Sequence, residues 1–314
     1  MSDVKYKTIS QEEDGQRLDN YLMRVLKGVP KSHIYRIIRS GEVRVNKGRA
    51  KPSTKIAVGD SIRIPPMRMT ERGQVNVSES LSERLQKSFL FEDTRLMVIN
   101  KPAGIAVHGG SGLSLGVIEA IRASRPDIPY IELAHRLDKE TSGCLVLAKK
   151  RSVLRAIQAD LSDKKVYKRY WALLDAPWKG KNKVEVDTPL EKNILKSGER
   201  MVAANESGKP SQTVFKLLEN FDDACLVEAS PKTGRTHQIR VHAAYLGYPI
   251  IGDEKYGGTI PDSIKMKRKH RLYLHARSIQ FNLGDEPFKI EAELDEQFTQ
   301  TLDQLRLRSE TSHE

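Results

Sequence analysis

Cysteine is almost missing from this 314-residue chain: Cys144 and Cys225 are the only two, with neither CxxC spacing nor enough partners for a disulfide framework or a zinc site. Both are expected to be buried thiols. Long apolar runs are missing as well. No stretch approaches the roughly 20 residues needed to cross a bilayer, and the opening MSDVKYKTISQEEDG lacks the apolar core of a signal peptide. A cytoplasmic protein without a membrane partner is expected. Neither an internal repeat nor a low-complexity tract is visible. Negative charge is also short. With 53 Lys plus Arg against 41 Asp plus Glu the formal charge is +12, so a polyanionic partner is the leading expectation.

What is present suggests two domains, since the length is large for one and comfortable for two. In QRLDNYLMRVL, residues 16–26, Leu18, Tyr21, Leu22, Val25 and Leu26 recur at helical spacing and predict a first helix. After Gly28 and Pro30, Ser32 can cap a second helix with Ile34, Ile37 and Ile38 facing inward and Lys31, Arg36 and Arg39 outward. Gly41 ends it. EVRVN alternates as a strand, NKG turns, and SIRIP reads as another strand. Between Lys27 and Lys55, nine lysines and arginines stand against Glu42 alone, so two thirds of the formal excess falls in this small module. A charge run is usually a solvated face, but this one is one-sided enough to predict a nucleic-acid surface, with Arg36, Arg39, Arg44 and Lys51 as phosphate contacts. Residues 15–65 also resemble the S-four-like RNA-binding module.

Residues 67–87 are polar, show neither period, and are expected to be a linker between a module at 1–66 and a main domain at 88–314. From Phe89 onward RLMVINKP, LVLA, YWALL, VFKLL, CLVEAS and LYLHA read as strands, with helices around 116–123, 152–162 and 236–246. Short, irregularly spaced strands of this kind predict an α+β domain on a mixed, largely antiparallel sheet with flanking helices.

Three patterns there point to chemistry that their context does not support. VHGGSGLSLG contains a GxSxG at Gly112, Ser114 and Gly116, with His108-Gly109-Gly110 resembling an oxyanion-hole loop. The nucleophile elbow needs a strand before the serine, and a Gly-rich loop stands there instead. His237 and His242 are five residues apart, wrong for an i, i+4 metal face, and no HExxH glutamate accompanies them. Asp138 and Glu140 are too close in an extended chain to straddle a sugar.

The charges in HRLDKETSG, residues 135–143, are better explained together with KTGRTHQIRVH, residues 232–242. In an extended segment Arg136 and Asp138 share one side above the apolar strand LVLA. Two arginine-rich elements and an aspartate can form a pocket for a phosphate-bearing substrate. HRLDKETSGCLVLAKK is similar to the aspartate-bearing motif of the RluA-type pseudouridine synthases, and KPAG, KRYWALL and GRTHQIRVH agree with that family's order and spacing over about residues 89–290. Lys139 stands where the family commonly has arginine, and Cys144 where it usually has an aliphatic residue.

That resemblance implies isomerisation of uridines in 23S ribosomal RNA, with the RNA or a large-subunit assembly intermediate as partner and no cofactor or metal. It makes Asp138 the catalytic aspartate and Arg136 the side chain entering the space of a flipped uridine. Tyr170 would stack on uracil, Arg240 would pair with Asp138, and Leu274 would belong to the pocket floor. The alternatives are a sister subfamily with other target uridines and a non-catalytic RNA-binding assembly factor.

Overall fold

The computed structural model describes residues 4–26, 28–67, 79–109, 115–194, 200–261, 264 and 271–311. It divides into two compact units, residues 1–76 together with 150–152, and residues 77–149 together with 153–314.

The first unit contains β1 (Lys5–Thr8), α1 (Leu18–Val25), α2 (Lys31–Arg39), β2 (Arg44–Val45), β3 (Gly48–Arg49) and β4 (Ser61–Ile64). Its sheet is antiparallel in the order β1-β4-β2-β3. Leu18, Tyr21 and Leu22 of α1 and Ile34, Ile37 and Ile38 of α2 are buried with Ile62 and Ile64 of β4, as the periodicity predicts. Two details differ. β1 was not foreseen, and α2 starts at Lys31 behind Pro30, whose fixed φ leads into the first turn, so Ser32 lies inside the helix rather than capping it. Gly41 terminates α2 in the left-handed region (φ +77), where a side chain would also meet Arg49. Asn46 and Lys47, both at positive φ, make the two-residue turn between β2 and β3.

The second unit runs α3 (Glu79–Gln86), β5 (Phe89–Glu92), β6 (Leu96–Lys101), α4 (Val117–Ser124), β7 (Glu132–Leu133), β8 (Ser142–Ala148), α5 (Arg151–Ser162), β9 (Tyr167–Leu174), β10 (Lys183–Asp187), β11 (Leu190–Ile194), β12 (Arg200–Ala204), β13 (Gln212–Asn220), β14 (Cys225–Pro231), α6 (Gln238–Tyr245), β15 (Leu274–Leu283), β16 (Glu286–Glu291) and α7 (Glu296–Thr311). The main sheet has the order β10-β13-β14-β9-β15-β8-β6-β5, with β16 beside β15 and β7 beside β8. Every pairing is antiparallel except β8 with β15, the one parallel pairing among the described strands. β11 and β12 form a separate hairpin. The α+β, largely antiparallel architecture is the one expected.

The linker expected over 67–87 is corrected at its C-terminal end. Residues 68–78 lie outside the described residues, but 79–86 form α3, whose Leu85 is buried against α4 and the sheet. Eight mostly polar residues with two leucines four apart are too few to display a period. Cys144 and Cys225 are buried free thiols, and burial pushes each up to about 12. Among the described residues no helix is long and apolar enough to cross a membrane.

Candidate active site

β8 is buried along its whole length, and the charged stretch before it is an irregular loop from Ala134 to Thr141. That loop is tied down at several points. Ala134 N–H donates to the Val146 carbonyl (3.0 Å), and Val146 N–H donates to His135 Nε2 (3.1 Å). Burial pulls the His135 pKa to about 4, so its ring is neutral and can accept. Leu137 anchors the loop in the core, and Thr141 N–H donates to the Asp138 carbonyl (3.2 Å).

The buried Lys101 at the end of β6 donates from Nζ to the carbonyls of Pro102 (2.9 Å), Ile105 (2.9 Å) and Lys139 (3.0 Å). Three carbonyls match the three donors of an ammonium. Burial nevertheless pulls the Lys101 pKa down to about 7, against the opposing charges of Glu140 and Asp138.

The Thr-Ser-Gly turn joins the loop to the sheet. Ser142 Oγ hydrogen-bonds His275 Nδ1 (2.9 Å) and accepts from Arg271 Nη2 (2.9 Å). Gly143 has φ +106, and a Cβ there would lie 2.3 Å from the Ala276 carbonyl oxygen. Only a glycine lets β8 approach β15 so closely.

The other half of the site is the start of α6. Gln238 fills its amide: it accepts from Thr233 Oγ1 (2.6 Å) and Arg235 N–H (3.0 Å) and donates to the Gln212 carbonyl (2.9 Å) and Thr213 Oγ1 (3.0 Å). His237 precedes the helix in the left-handed region (φ 53). Its Nδ1 hydrogen-bonds the Tyr256 hydroxyl (2.7 Å), and its Nε2 stands 3.9 Å from Asp138 Oδ2. Burial draws its pKa below the ordinary histidine value; Asp138 opposes the shift, whereas Arg240 adds to it. His242, one and a half turns on, is buried against Ser211, Thr213 and the Thr188 carbonyl.

The two halves enclose a cleft of about 440 Å³ lined by Arg136, Asp138, Tyr170, Arg235, Arg240 and Leu274 among others. All five residues that the sequence nominated for uridine chemistry therefore meet in one place. Arg136 is exposed and, among the described residues, has no ion-pair partner. Asp138 is half-buried. Tyr170 lies on β9 between two alanines, Ala229 of β14 and Ala276 of β15, which leaves its ring room at the cleft. Burial, with the Asp138 charge adding to it, pushes the Tyr170 hydroxyl well above the ordinary tyrosine pKa. Trp171 does not line the cleft but lies under Arg277, whose guanidinium is 5.4 Å from its ring, as strand alternation requires.

Arg240 forms the expected ion pair with Asp138, Nη1 standing 3.8 Å from Oδ2, without the closeness of a direct hydrogen bond. Its close partner is Asp253: Nε to Oδ2 is 2.7 Å and Nη2 to Oδ1 is 2.6 Å, a bidentate pair with the carboxylate almost fully buried. The guanidinium also sits 5.0 Å from the Tyr256 ring. Burial works against its charge, but the Asp253 hydrogen bonds keep its pKa raised. Sequence reasoning missed Asp253, Tyr256 and Lys101. The only signals were a lysine closing an apolar strand and the glycine-flanked GDEKYG at 252–257.

In the first unit Arg36, Arg39, Arg44 and Lys51 are all exposed, the first two on the outer side of α2. Arg36 Nη2 is 3.1 Å from His33 Nε2, and Arg39 lies 5.9 Å from the Tyr35 ring. Ser114 and Gly112 of the GxSxG pattern, and the centre of NILKSGER, lie outside the described residues. Gly116, the last glycine of the pattern, and Gly109 upstream of it both donate N–H to Glu119 Oε2 of α4, at 2.9 and 3.0 Å.

Comparisons with known proteins bear on both units. A family model described as RNA pseudouridylate synthase matches residues 95–245, and one described as S4 domain matches residues 16–62. Proteins named ribosomal large subunit pseudouridine synthase C are 53% identical in Pasteurella multocida (96% of this chain, 94% of that protein), 52% in Yersinia pestis (96% and 96%) and 50% in Escherichia coli K12 (96% and 97%). A solved structure titled Human RNA Pseudouridylate Synthase Domain Containing 4 is 27% identical, covers 72% of this chain and 96% of its own, and has a TM-score of 0.61.

Proposed function

The chain belongs to the RNA pseudouridylate synthase family, and on that premise we propose that it isomerises uridines of 23S ribosomal RNA to pseudouridine in the cytoplasm. Its partner is the RNA itself or a large-subunit assembly intermediate, the reading that the names of its relatives support. In this assignment the first unit holds RNA through Arg36, Arg39, Arg44 and Lys51, and the chain from α3 onward carries the chemistry.

The observation that carries the reading is the convergence of Asp138, Tyr170, Arg136, Arg240 and Leu274 on one cleft. In the reaction the bond from ribose C1′ to uracil N1 breaks, the base turns, and C5 bonds to C1′. The C5 proton leaves and N1 gains one. Atoms and electrons balance within the nucleoside, so the reaction consumes no cofactor.

Taking a base out of its stack costs a few kcal/mol, and the exposed Arg136 at the cleft is suited to fill the vacated space. Asp138 acts at the electron-poor sugar, as carboxylates do in glycosyl transfer. Arg240, fixed by Asp253, orients Asp138 from 3.8 Å. Tyr170 stacks on uracil with Leu274 below. Its raised pKa keeps it a neutral phenol, so it can take the C5 proton only while handing on its own.

The test is Asp138→Asn with RNA carrying tritium at uridine C5, since isomerisation releases that label to water. Release should fall by at least about 1,000-fold while RNA affinity stays within about threefold. A variant retaining a tenth of the single-turnover rate would refute the role of Asp138. Absence of release from the unaltered protein on 23S RNA would favour a non-catalytic RNA-binding factor.

A further inference from the structure

We propose that the outer face of the four-stranded sheet is a contact surface for single-stranded RNA, where Tyr6 stacks on a base while Arg63, Arg44 and Arg49 hold adjoining phosphates. The inference rests on the reading of this protein as acting on RNA, and adds a surface that shares only Arg44 with the four basic residues nominated above. The S4 match begins at residue 16, so Tyr6 and its strand lie outside it.

The register makes the case. Tyr6 of β1 is paired with Arg63 of β4, Arg63 with Arg44 of β2, and Arg44 with Arg49 of β3. Residues directly opposite one another share a face, so these four side chains form one row across the whole sheet, about 14 Å long at ordinary strand spacing. Ile62 and Ile64 are buried on the opposite face, which turns the row toward solvent. Tyr6 is 65% exposed, Arg44 and Arg49 are exposed, and Arg63 is half-buried.

Three arginines directly across from one another repel, and like charges so placed destabilise a sheet. Among the described residues no carboxylate pairs with any of them. Backbone carbonyls hold them instead: Gly41 and Lys47 accept from Arg44 (3.3 and 3.2 Å), Ser40 from Arg49 (3.4 Å) and Glu42 from Arg63. The nearby Glu42 carboxylate accepts from Ser40 Oγ (2.7 Å). The guanidinium planes are thus oriented without being neutralised, and a polyanion laid along the row supplies the missing charge. Tyr6, Ser40, Glu42, Arg44, Lys47 and Arg63 together border a cleft of about 840 Å³. An exposed ring beside a run of cations is the combination that binds single strands, because every base has a face to stack while phosphates meet the charges. A duplex offers no unstacked base to Tyr6.

The experiment titrates full-length protein into a fluorescently labelled single-stranded RNA 12-mer of mixed sequence, followed by anisotropy at several salt concentrations. Tyr6→Ala should raise Kd by about 5- to 150-fold without changing the salt slope, while Tyr6→Phe and Tyr6→Trp stay near the unaltered protein. Arg63→Gln should instead reduce the slope of log K against log salt by about 0.7. Thermal melts check that each variant remains folded, which the exposure of Tyr6 favours. If Tyr6→Ala binds within twofold of the unaltered protein while Arg36→Gln with Lys51→Gln binds weakly, this surface is refuted and the module still binds RNA. If neither weakens binding, the RNA-binding role of the module fails as well.

Discussion

Replacing Asp253 by asparagine would test how the site is held, because the exchange keeps shape and removes one charge. In the native structure the carboxylate takes both Nε and Nη2 of Arg240 at 2.7 and 2.6 Å, with the arginine nearly buried and the aspartate almost wholly so. Removing one partner of a buried pair costs about 3–5 kcal/mol, since the other charge is left uncompensated. For a unit of this size each kcal/mol lowers Tm by about 2–4 °C. The expected fall is therefore about 6–20 °C. Among the described residues Arg240 then has one remaining anion in reach, Asp138 at 3.8 Å. Closing that gap by about 1 Å would draw the Asp138 carboxylate out of position, and displacements of that order cost about 100-fold in rate. Urea unfolding and single-turnover tritium release, measured on Asp253→Asn, Arg240→Gln and the double variant, separate the effects. The two substitutions should be coupled by several kcal/mol in stability. A coupling below about 0.5 kcal/mol, the level of independent sites, would refute this account of the pair, and a single-turnover rate within threefold of normal for Asp253→Asn would refute the positioning role.

Two further outcomes are expected. Tyr170→Phe keeps the ring and removes the hydroxyl, so it should bind RNA normally yet form little pseudouridine, whereas Tyr170→Leu should also lose about 1–3 kcal/mol of binding; normal turnover by the phenylalanine variant would eliminate proton relay. For Lys101 the folded pKa near 7 lies below the unfolded value near 10.5, so the unfolded chain holds the extra proton between those limits. Its contribution makes stability rise with pH across that window, by about 1 kcal/mol per unit, and stay level below pH 7. Lys101→Met should abolish this slope difference in urea titrations at pH 7.5 and 9.5; equal slopes in the two proteins would mean that Lys101 stays charged in its three-carbonyl cage.

The elements that were legible in the sequence are those in which one face is apolar and the other is not. α1 and α2 show Leu18, Leu22, Ile34 and Ile38 at helical spacing, and the Asn46-Lys47 turn has its residue chemistry in plain view. β1 was illegible because all four of its residues are exposed and nothing alternates. α3 hid for the complementary reason, presenting two leucines in an otherwise polar octet. At the site, Asp138, Tyr170 and Arg240 carried recognisable motifs, which implied the Arg240–Asp138 ion pair but not the closer partner that fixes Arg240. The nearest anion to Arg240 is set by a turn thirteen residues later that brings Asp253 underneath it, a tertiary event without a local signature.

The parallel meeting of β8 and β15 has a bearing on how the protein is made. Every polar side chain assigned to the chemistry has been synthesised once residue 240 is complete, yet the strand that flanks both β9 and β8 begins only at Leu274. A nascent chain ending before that point would carry Asp138, Tyr170 and Arg240 with no Ala276 for Gly143 to close upon and no His275 to receive Ser142. Contacts of such long sequence separation form late in folding. Competence to act on RNA would thus arrive abruptly once β15 has been made, so that shorter nascent chains, which already contain the basic module, could hold RNA without altering it.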